Sequence, residues 1–311
     1  MTTNKQNLGY ACINMHLSEG PAKSKVGTNR GMIKKTFFEK GIDYASEISL
    51  LNVRDIIKIL QWNTEHGIKM FRLSSDIFPW ASEYDIRKLK DFKLIREELE
   101  IVGRYATKNN IRLSFHPGPY NVLASDKQHV VKNTITDLEN HSLIFDLMGF
   151  SPSLHNKINI HLGFGSKPED KQRAYDNFCK NFEFLSPNLQ ARLTTENDDR
   201  ENMHSVRALF ENIYKRIGTA IVFDYHHHRF CDDGLTEKEA LCLAVKTWGN
   251  VKPTVHYSES KSEEQNIACK PQAHSDYVKQ YIDQYGNDVD IMIEAKQKEK
   301  AVLLYRKIHE S

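Results

Sequence analysis

Eight short apolar runs alternate along the chain with longer segments of helical periodicity. The runs cover residues 8–14, 69–76, 111–116, 157–161, 191–196, 220–228, 254–256 and 290–296. Several of them, such as residues 220–223, are continuous stretches of aliphatic and β-branched side chains, which are typical of strands covered on both faces. The runs therefore predict the strands of a parallel sheet.

The segments between the runs repeat apolar residues every three or four positions, which predicts helices. They span residues 48–67, 92–109, 133–148, 170–185, 203–217, 236–248, 275–285 and 296–309. A strand followed by a helix, repeated in this way, predicts an α/β fold, and we expect residues 1–311 to form a single (β/α)8 TIM barrel. The carboxyl ends of all its strands would then meet at one face, where barrel enzymes build their active sites.

Each run ends near a residue that can bind a metal ion or an anion. These residues are Asn14, Asp76, His116, His161, Glu196, Asp224 with His226, His227 and His228, His256 and Glu294. A lone histidine at a strand end is usually structural. However, His116 and His161 end successive strands and Glu196 ends the next one, which favours metal binding. Asp224 directly follows an apolar run, where a carboxylate needs a counter-charge that a metal would supply.

Histidines and carboxylates without thiolates suit manganese, zinc or iron better than magnesium or copper(I). The set is too large for one ion, so we expect two to three divalent ions close together. Such a cluster serves in-line displacement at phosphorus. By its position alone, His274 would be an exposed residue rather than a ligand.

Charge and cysteine usage limit the possible partners and compartment. The 43 Lys and Arg residues nearly balance the 41 Asp and Glu residues, so any affinity for nucleic acid must come from local clusters. The longest connection, residues 17–45, carries one such cluster: Lys23, Lys25, Arg30, Lys34 and Lys35. It is interpreted either as a solvated surface loop or as a rim that contacts phosphates.

Five widely spaced cysteines with no Cys-x-x-Cys pair predict free thiols in a reducing compartment. Residues 1–7 are polar and do not resemble a signal peptide, and no apolar stretch approaches the ~18 residues of a membrane span. We expect an intracellular protein, cytoplasmic and nucleoid-associated or nuclear depending on the host. Neither a membrane nor an obligate protein partner is indicated.

The motifs at the strand ends resemble the ultraviolet-damage endonucleases, which are related to endonuclease IV, over almost the whole chain. The matching stretches are residues 8–14, 71–75, 113–118, 161–163, 196–198, 224–227, 255–256 and 293–296. The resemblance implies a barrel that nicks damaged double-stranded DNA immediately 5′ to cyclobutane dimers and 6-4 photoproducts, and it leaves abasic sites open as a further substrate. It implies a 3′-hydroxyl and a 5′-phosphate as products, and up to three ions, most often Mn2+, with Zn2+ as an alternative.

The resemblance also implies how the residues are used. His116, His161 and Glu196 would bind one ion, and Glu196 would bridge to a second ion held by Asp224, His256 and Glu294. His227 and His274 would bind the third. The resemblance assigns catalysis chiefly to Glu196, His116 and Asp224.

Contacts to DNA or to the lesion are expected from Tyr120, Pro119, Tyr10 and Asn14, with Tyr120 as an aromatic wedge. Pro119 stands where the family usually has glutamine. Thr254 replaces a lysine that is carboxylated in some relatives, and Asp76 replaces a histidine. Asp76 would either bind an ion or contact the residues that do, and Lys296 would contact those residues.

Two other functions remain open from the sequence. Related barrels that isomerise or epimerise sugars use similar Glu, Asp and His residues at strand ends. A lesion-binding protein without turnover is the other alternative, motivated by Pro119 and Thr254.

Overall fold

The computed structural model describes residues 6–19, 21 and 25–310, so Lys23 of the basic connection lies outside the described residues. Eight parallel strands confirm the predicted α/β class. They are β1 Asn7–Ala11, β2 Met70–Arg72, β3 Arg112–Ser114, β4 Ile158–Ile160, β5 Leu193–Glu196, β6 Ala220–Val222, β7 Thr254–Tyr257 and β8 Asp290–Ile293. They form a five-stranded sheet in the order β3-β2-β1-β8-β7 and a three-stranded sheet in the order β4-β5-β6.

Single parallel bridges connect the two sheets at both junctions. Phe115 pairs with Ile158 beyond the end of β3, and Asp224 pairs with His256 beyond the end of β6. The Phe115 amide donates to the Lys157 carbonyl at 2.9 Å, and the His256 amide donates to the Phe223 carbonyl at 2.9 Å. The strands therefore run in one direction and end on one side of the molecule.

Helices fill the connections. They are α1 Met15–Ser18, α2 Lys34–Glu65, α3 Phe92–Lys108, α4 Gln128–Leu147, α5 Pro168–Phe182, α6 Pro187–Gln190, α7 Val206–Leu209, α8 Lys215–Ile217, α9 Tyr225–His228, α10 Glu237–Val245, α11 Lys261–Gln265 and α12 Lys298–His309. A π-helical turn, Phe210–Tyr214, joins α7 to α8, and 3-10 turns lie at Ala81–Glu83, Ile86–Lys88, Leu154–Asn156 and Lys246–Trp248. None of the helices in the described part of the chain has the length and apolar character needed to cross a membrane.

Amphipathic periodicity explains the helices that pack on the sheets. In α3, Ile95, Leu99, Val102 and Ala106 recur at steps of three or four and are buried. Periodicity did not predict the structure at two places.

The first is the connection 17–45, whose last part is helical. There α2 starts at Lys34 and continues across a kink at Gly41, whose φ is 69°.

The predicted helix over residues 275–285 is wrong. The Glu259 carboxylate accepts the backbone amides of Lys279 and Gln280 at 2.6 and 2.8 Å, and the Tyr305 hydroxyl accepts the Ile282 amide at 3.0 Å. Because side chains from elsewhere satisfy these amides, the segment does not need a helical ladder.

The two faces of the strands are used differently. Leu8, Tyr10 and Phe71 belong to the large core beneath the helices, whereas Ala11, Met70 and Met292 form a separate small cluster on the other face. A Cβ at Gly9 would lie 2.5 Å from the Met70 carbonyl oxygen, so only glycine fits there. The same inner face also carries the buried side chains of Arg112, Lys157, Glu196 and Asp290. The five cysteines are free thiols, as predicted.

Candidate metal centre

Glu196, the last residue of β5, lies at the centre of the cluster of strand-end side chains. Its Oε2 is 3.1 Å from His116 Nε2 and 3.0 Å from His256 Nδ1. Its Oε1 is 3.3 Å from His227 Nδ1 and 3.9 Å from His161 Nε2. The two oxygens of one fully buried carboxylate therefore face two different pairs of histidines.

Three groups of side chains have donor atoms that all lie within 4.8 Å of one another. They are His116 with Glu196 and His256, His161 with Glu196 and His227, and Asp224 with His256 and Glu294. Seven of the eight predicted ligands thus converge, and His274 is the one outside the three groups. The third group is the set expected for the second ion, whereas His116 and His161 are divided between the other two groups.

The three consecutive histidines occupy one helical turn, which separates their side chains. Asp224 is the N-cap of α9 and accepts the His227 amide at 2.8 Å, so the turn starts directly at the strand end. His227 then faces Glu196. His226 is buried with its ring 5.4 Å from that of His274, and His228 Nε2 donates to the Leu235 carbonyl at 3.1 Å.

Asp198 has a role that the sequence did not indicate. It does not cap a helix, because the next helix starts only at Val206. Its Oδ1 lies 3.0 Å from His161 Nδ1, and its backbone amide donates to the His204 carbonyl at 3.0 Å. A carboxylate on the second nitrogen of a ligating histidine fixes the orientation of the ring. Asp198 thereby aims His161 Nε2 at Glu196.

Lys157 and Asn159 were also missed. They precede His161 at steps of two, which places all three on the inner face of β4, so strand periodicity was an available signal. The Asn159 amide donates to Glu196 Oε2. Lys157 is fully buried with Nζ 3.2 Å from His256 Nε2, and burial lowers the pKa of its ammonium to about 7.

Burial and crowded charges shift the pKa values of these groups in opposite directions. Burial raises the pKa of Asp224 to about 7, and the charges of Glu196 and Glu294 add to this effect. For Glu196, burial acts in the same direction, but the surrounding histidines outweigh it and hold the pKa of its carboxyl well below the usual range. Burial opposes protonation of His161, yet Glu196 and Asp198 raise the pKa of its imidazole to about 10.

The donor set fits divalent cations. Glu196 Oε1, Asp224 Oδ2 and His256 Nδ1 are buried, and although side chains of the site lie within 3.9 Å of each, none of the described residues makes a hydrogen bond of normal geometry to them. Unsatisfied buried acceptors are costly unless a ligand completes them. Three carboxylates beside imidazoles, with no thiolate, match the preferences of manganese and zinc.

Other predicted site residues lie outside the three groups. His274 Nδ1 donates to the Glu294 carbonyl at 2.9 Å, and its ring centroid is 6.2 Å from that of His227. Asp76 and Lys296 have exposed side chains. Tyr120 is 89% exposed, and the neighbouring Pro119 is exposed as well.

The predicted contacts of Tyr10 and Asn14 with DNA need correction, because both side chains are buried. The Tyr10 hydroxyl donates to Asn63 Oδ1 at 2.7 Å and accepts from Asn14 Nδ2 at 2.8 Å. The Asn14 side-chain oxygen caps α1 by accepting the Leu17 amide at 2.9 Å. Both residues therefore stabilise the end of β1.

The basic connection is only partly available to a ligand. Arg30 makes a 2.5 Å ion pair with Asp55 and a further bond to the Lys25 carbonyl at 2.9 Å, so it fastens the connection to α2. Lys35 forms a loose surface pair with Glu39 at 3.8 Å.

The sequence profile described as UV-endonuclease UvdE matches residues 6–310. The chain belongs to this family. It is 34% identical over 302 residues to a protein named UV-damage endonuclease from Schizosaccharomyces pombe. That alignment covers 95% of the chain but only 49% of the relative, so the chain spans about half of that protein.

Other relatives match over most of their own length. A protein named UV DNA damage endonuclease from Bacillus mycoides is 33% identical, with 91% of this chain and 87% of the relative covered. The crystal structure of SacUVDE superposes with a TM-score of 0.83 at 29% identity over 98% of both chains. A D-tagatose 3-epimerase-like protein has a TM-score of 0.56 at 13% identity, covering 80% of this chain and 90% of its own, which shows similarity of fold alone.

Proposed function

We propose that this member of the UV-endonuclease UvdE family is a metal-dependent DNA repair endonuclease that nicks the strand immediately 5′ to ultraviolet photoproducts. The substrate would be damaged double-stranded DNA carrying cyclobutane pyrimidine dimers, 6-4 photoproducts or abasic sites. We infer that residues 1–311 act as one unit and that the bridged sheets work as one eight-stranded barrel.

One observation carries this proposal: Glu196 shares its two carboxylate oxygens between two groups of histidines, while Asp224 and Glu294 complete a third group. This arrangement suits two to three divalent ions, with Mn2+ favoured and Zn2+ possible. Ions held a few ångströms apart would activate water and neutralise charge on the phosphate.

The protein's own residues supply position and charge. Glu196, Asp224 and Glu294 provide three negative charges for the ions, and Asp198 orients His161. Tyr120 stands exposed beyond His116, at the end of β3, where its ring would stack against unpaired bases at the lesion. His274 would extend the His227 side towards a third ion.

The reaction that fits this site is hydrolysis of one phosphodiester. An oxygen atom of water forms a bond to phosphorus while the bond from phosphorus to O3′ breaks. O3′ leaves with a proton as a 3′-hydroxyl, and the other fragment keeps a 5′-phosphate.

Ultraviolet-irradiated supercoiled plasmid provides the test. Protein with Mn2+ should convert it to nicked circles and leave unirradiated plasmid intact, and EDTA should abolish nicking. Glu196→Gln should lower the nicking rate by about a thousandfold or more, because the carboxylate shared between the groups is lost. Glu211→Gln, which changes an exposed carboxylate, serves as the matched control and should nick normally.

Other outcomes would reject the proposal. Nicking by Glu196→Gln at the wild-type rate would remove the carboxylate from the mechanism. Cleavage restricted to abasic plasmid would restrict the substrate, and binding of irradiated DNA without any cutting would indicate a lesion-binding protein. Isomerisation of ketoses unaffected by DNA would favour the sugar enzymes with which the chain shares its fold.

A further inference from the structure

Two lysines follow Glu294 on the side of the metal centre formed by β8, β1 and β2. Lys296 has an exposed side chain, and Lys298 is half-buried. Among the described residues, no ion pair is found for either ammonium group. A half-buried cation without a carboxylate partner is uncommon, which suggests that an anion from outside the protein completes it.

Backbone hydrogen bonds hold the segment between β8 and α12, which leads from Lys296 to Lys298 at the start of α12. The Lys296 amide donates to the Ser275 carbonyl at 2.9 Å, and the Gln297 amide donates to the Asp276 carbonyl at 3.0 Å. Lys298 has a φ of 50°, in the left-handed region that lysine rarely adopts. Strained backbone of this kind tends to persist where a side chain must be held in a particular place.

Like charges converge at this point. Burial lowers the pKa of the Lys298 ammonium, and the nearby positive charges of Arg72 and Lys296 add to the effect, while Cys12 and Glu294 oppose it. Arg72 forms a 2.5 Å ion pair with Glu294, and its buried Nε has no hydrogen-bond partner. The Arg72 guanidinium thus lies beside the Asp224, His256 and Glu294 group with one donor unused, and Lys296 and Lys298 follow Glu294 closely in the chain.

We propose that Lys298 and Lys296 bind a backbone phosphate of the DNA strand next to the phosphate held at the metal centre. This proposal rests on the proposed function, because it places a second phosphate of the same substrate beside the first. The anion would offset the repulsion among the three cations.

The test measures binding without catalysis. Affinity for an ultraviolet-irradiated duplex is followed by fluorescence anisotropy in EDTA at several salt concentrations for wild type, Lys298→Gln and Lys296→Gln. Losing one phosphate contact should reduce the magnitude of the slope of log K against log salt by about 0.9. Between 50 and 200 mM salt, the fold-decrease in affinity of each variant should therefore be about threefold smaller than that of wild type. Lys108→Gln is the matched control, because Lys108 is an exposed lysine in the last turn of α3, at the opposite end of the strands.

Further variants separate a phosphate contact from a folding defect. Lys298→Arg keeps the positive charge, so it should keep the wild-type slope. Lys298→Gly removes the charge and tolerates the positive φ, so it should fold at least as well as wild type and still show the reduced slope. Slopes of Lys298→Gln and Lys298→Gly equal to that of Lys108→Gln would overturn the inference. If wild type neither nicks nor binds irradiated DNA, it is the proposed function that fails.

Discussion

The two ends of the strands both bury charged side chains on the inner face, but they treat them in opposite ways. At the amino-terminal end, the Arg112 guanidinium donates to Asp290 Oδ2 at 2.9 Å and to the carbonyls of Lys252, His155 and Leu154 at 2.8, 2.7 and 2.9 Å. Lys252 adds a 3.2 Å ion pair to Asp290. The charged groups at this end therefore satisfy one another or bond to backbone carbonyls.

At the carboxyl-terminal end, some of the buried charged groups have no partner among the described residues. Glu196, Asp224 and Glu294 crowd together, and Glu196 Oε1 and Asp224 Oδ2 have no hydrogen-bond partner among the described residues. The difference teaches that buried charge alone does not mark a functional site. Charges that satisfy one another stabilise the fold, whereas charges that lack partners await a ligand.

The largest expected effect comes from removing the Arg112 guanidinium at the amino-terminal end of the strands. Arg112→Leu leaves the buried Asp290 carboxylate without its main partner, so we expect a loss of about 3 to 5 kcal/mol in the free energy of unfolding. Urea denaturation measures it. Mn2+ affinity of the protein that remains folded should be unchanged. A loss of metal affinity with normal stability would reverse the roles assigned to the two ends.

At the carboxyl-terminal end, removing the charge of Asp224 should raise the stability of the metal-free protein. The pKa of Asp224 rises from 3.8 to about 7 in the folded, metal-free protein. Between these values the folded state holds a proton that the unfolded chain has lost, so stability falls as pH rises through this window. Asp224→Asn should therefore be more stable than wild type at pH 8 by about 1 to 4 kcal/mol, and the gain should vanish near pH 4.

Thermal unfolding in EDTA across this pH range measures the effect of Asp224→Asn. Asn keeps an acceptor for the N-cap of α9, so the local backbone is preserved. The control is Asp43→Asn, which changes an exposed residue and should leave the pH profile unaltered. A variant less stable than wild type at pH 8 would show that Asp224 stabilises the fold.

A smaller effect should follow from changing Asp198, which orients the His161 ring. Asp198→Asn keeps the shape but weakens the hold on His161, so Mn2+ affinity should fall about 10- to 100-fold. Isothermal titration calorimetry measures the affinity, and the free energy of unfolding should change little. Asp199→Asn, the next residue along, is the control. Equal affinity in both variants would mean that His161 needs no orienting carboxylate.

Much of this contrast could be predicted from the sequence. Strand ends in a parallel α/β fold share one side, so His116, Glu196 and His256 were expected to converge although they are far apart in the chain. The role of Asp198 could not be assigned, because its partner His161 follows another strand and the sequence does not show that the two side chains meet. Tyr10 was misjudged because sequence similarity does not reveal burial.

The wrongly predicted helix over residues 275–285 shows a related limit. Residues 275–285 have helical spacing, but Glu259 from another loop captures the amides of Lys279 and Gln280. Local periodicity cannot register such a distant partner. Lys157 and Asn159, by contrast, share the inner face of β4 with His161, and counting in steps of two would have found them.

The most direct test is anomalous diffraction at the manganese edge from crystals grown with MnCl2. We expect anomalous density beside Glu196 at the strand ends, with peaks in contact with His116 and His256 and with Asp224 and Glu294, and none near Arg112. An empty strand-end cluster at saturating manganese, in protein that still nicks irradiated plasmid, would contradict the account.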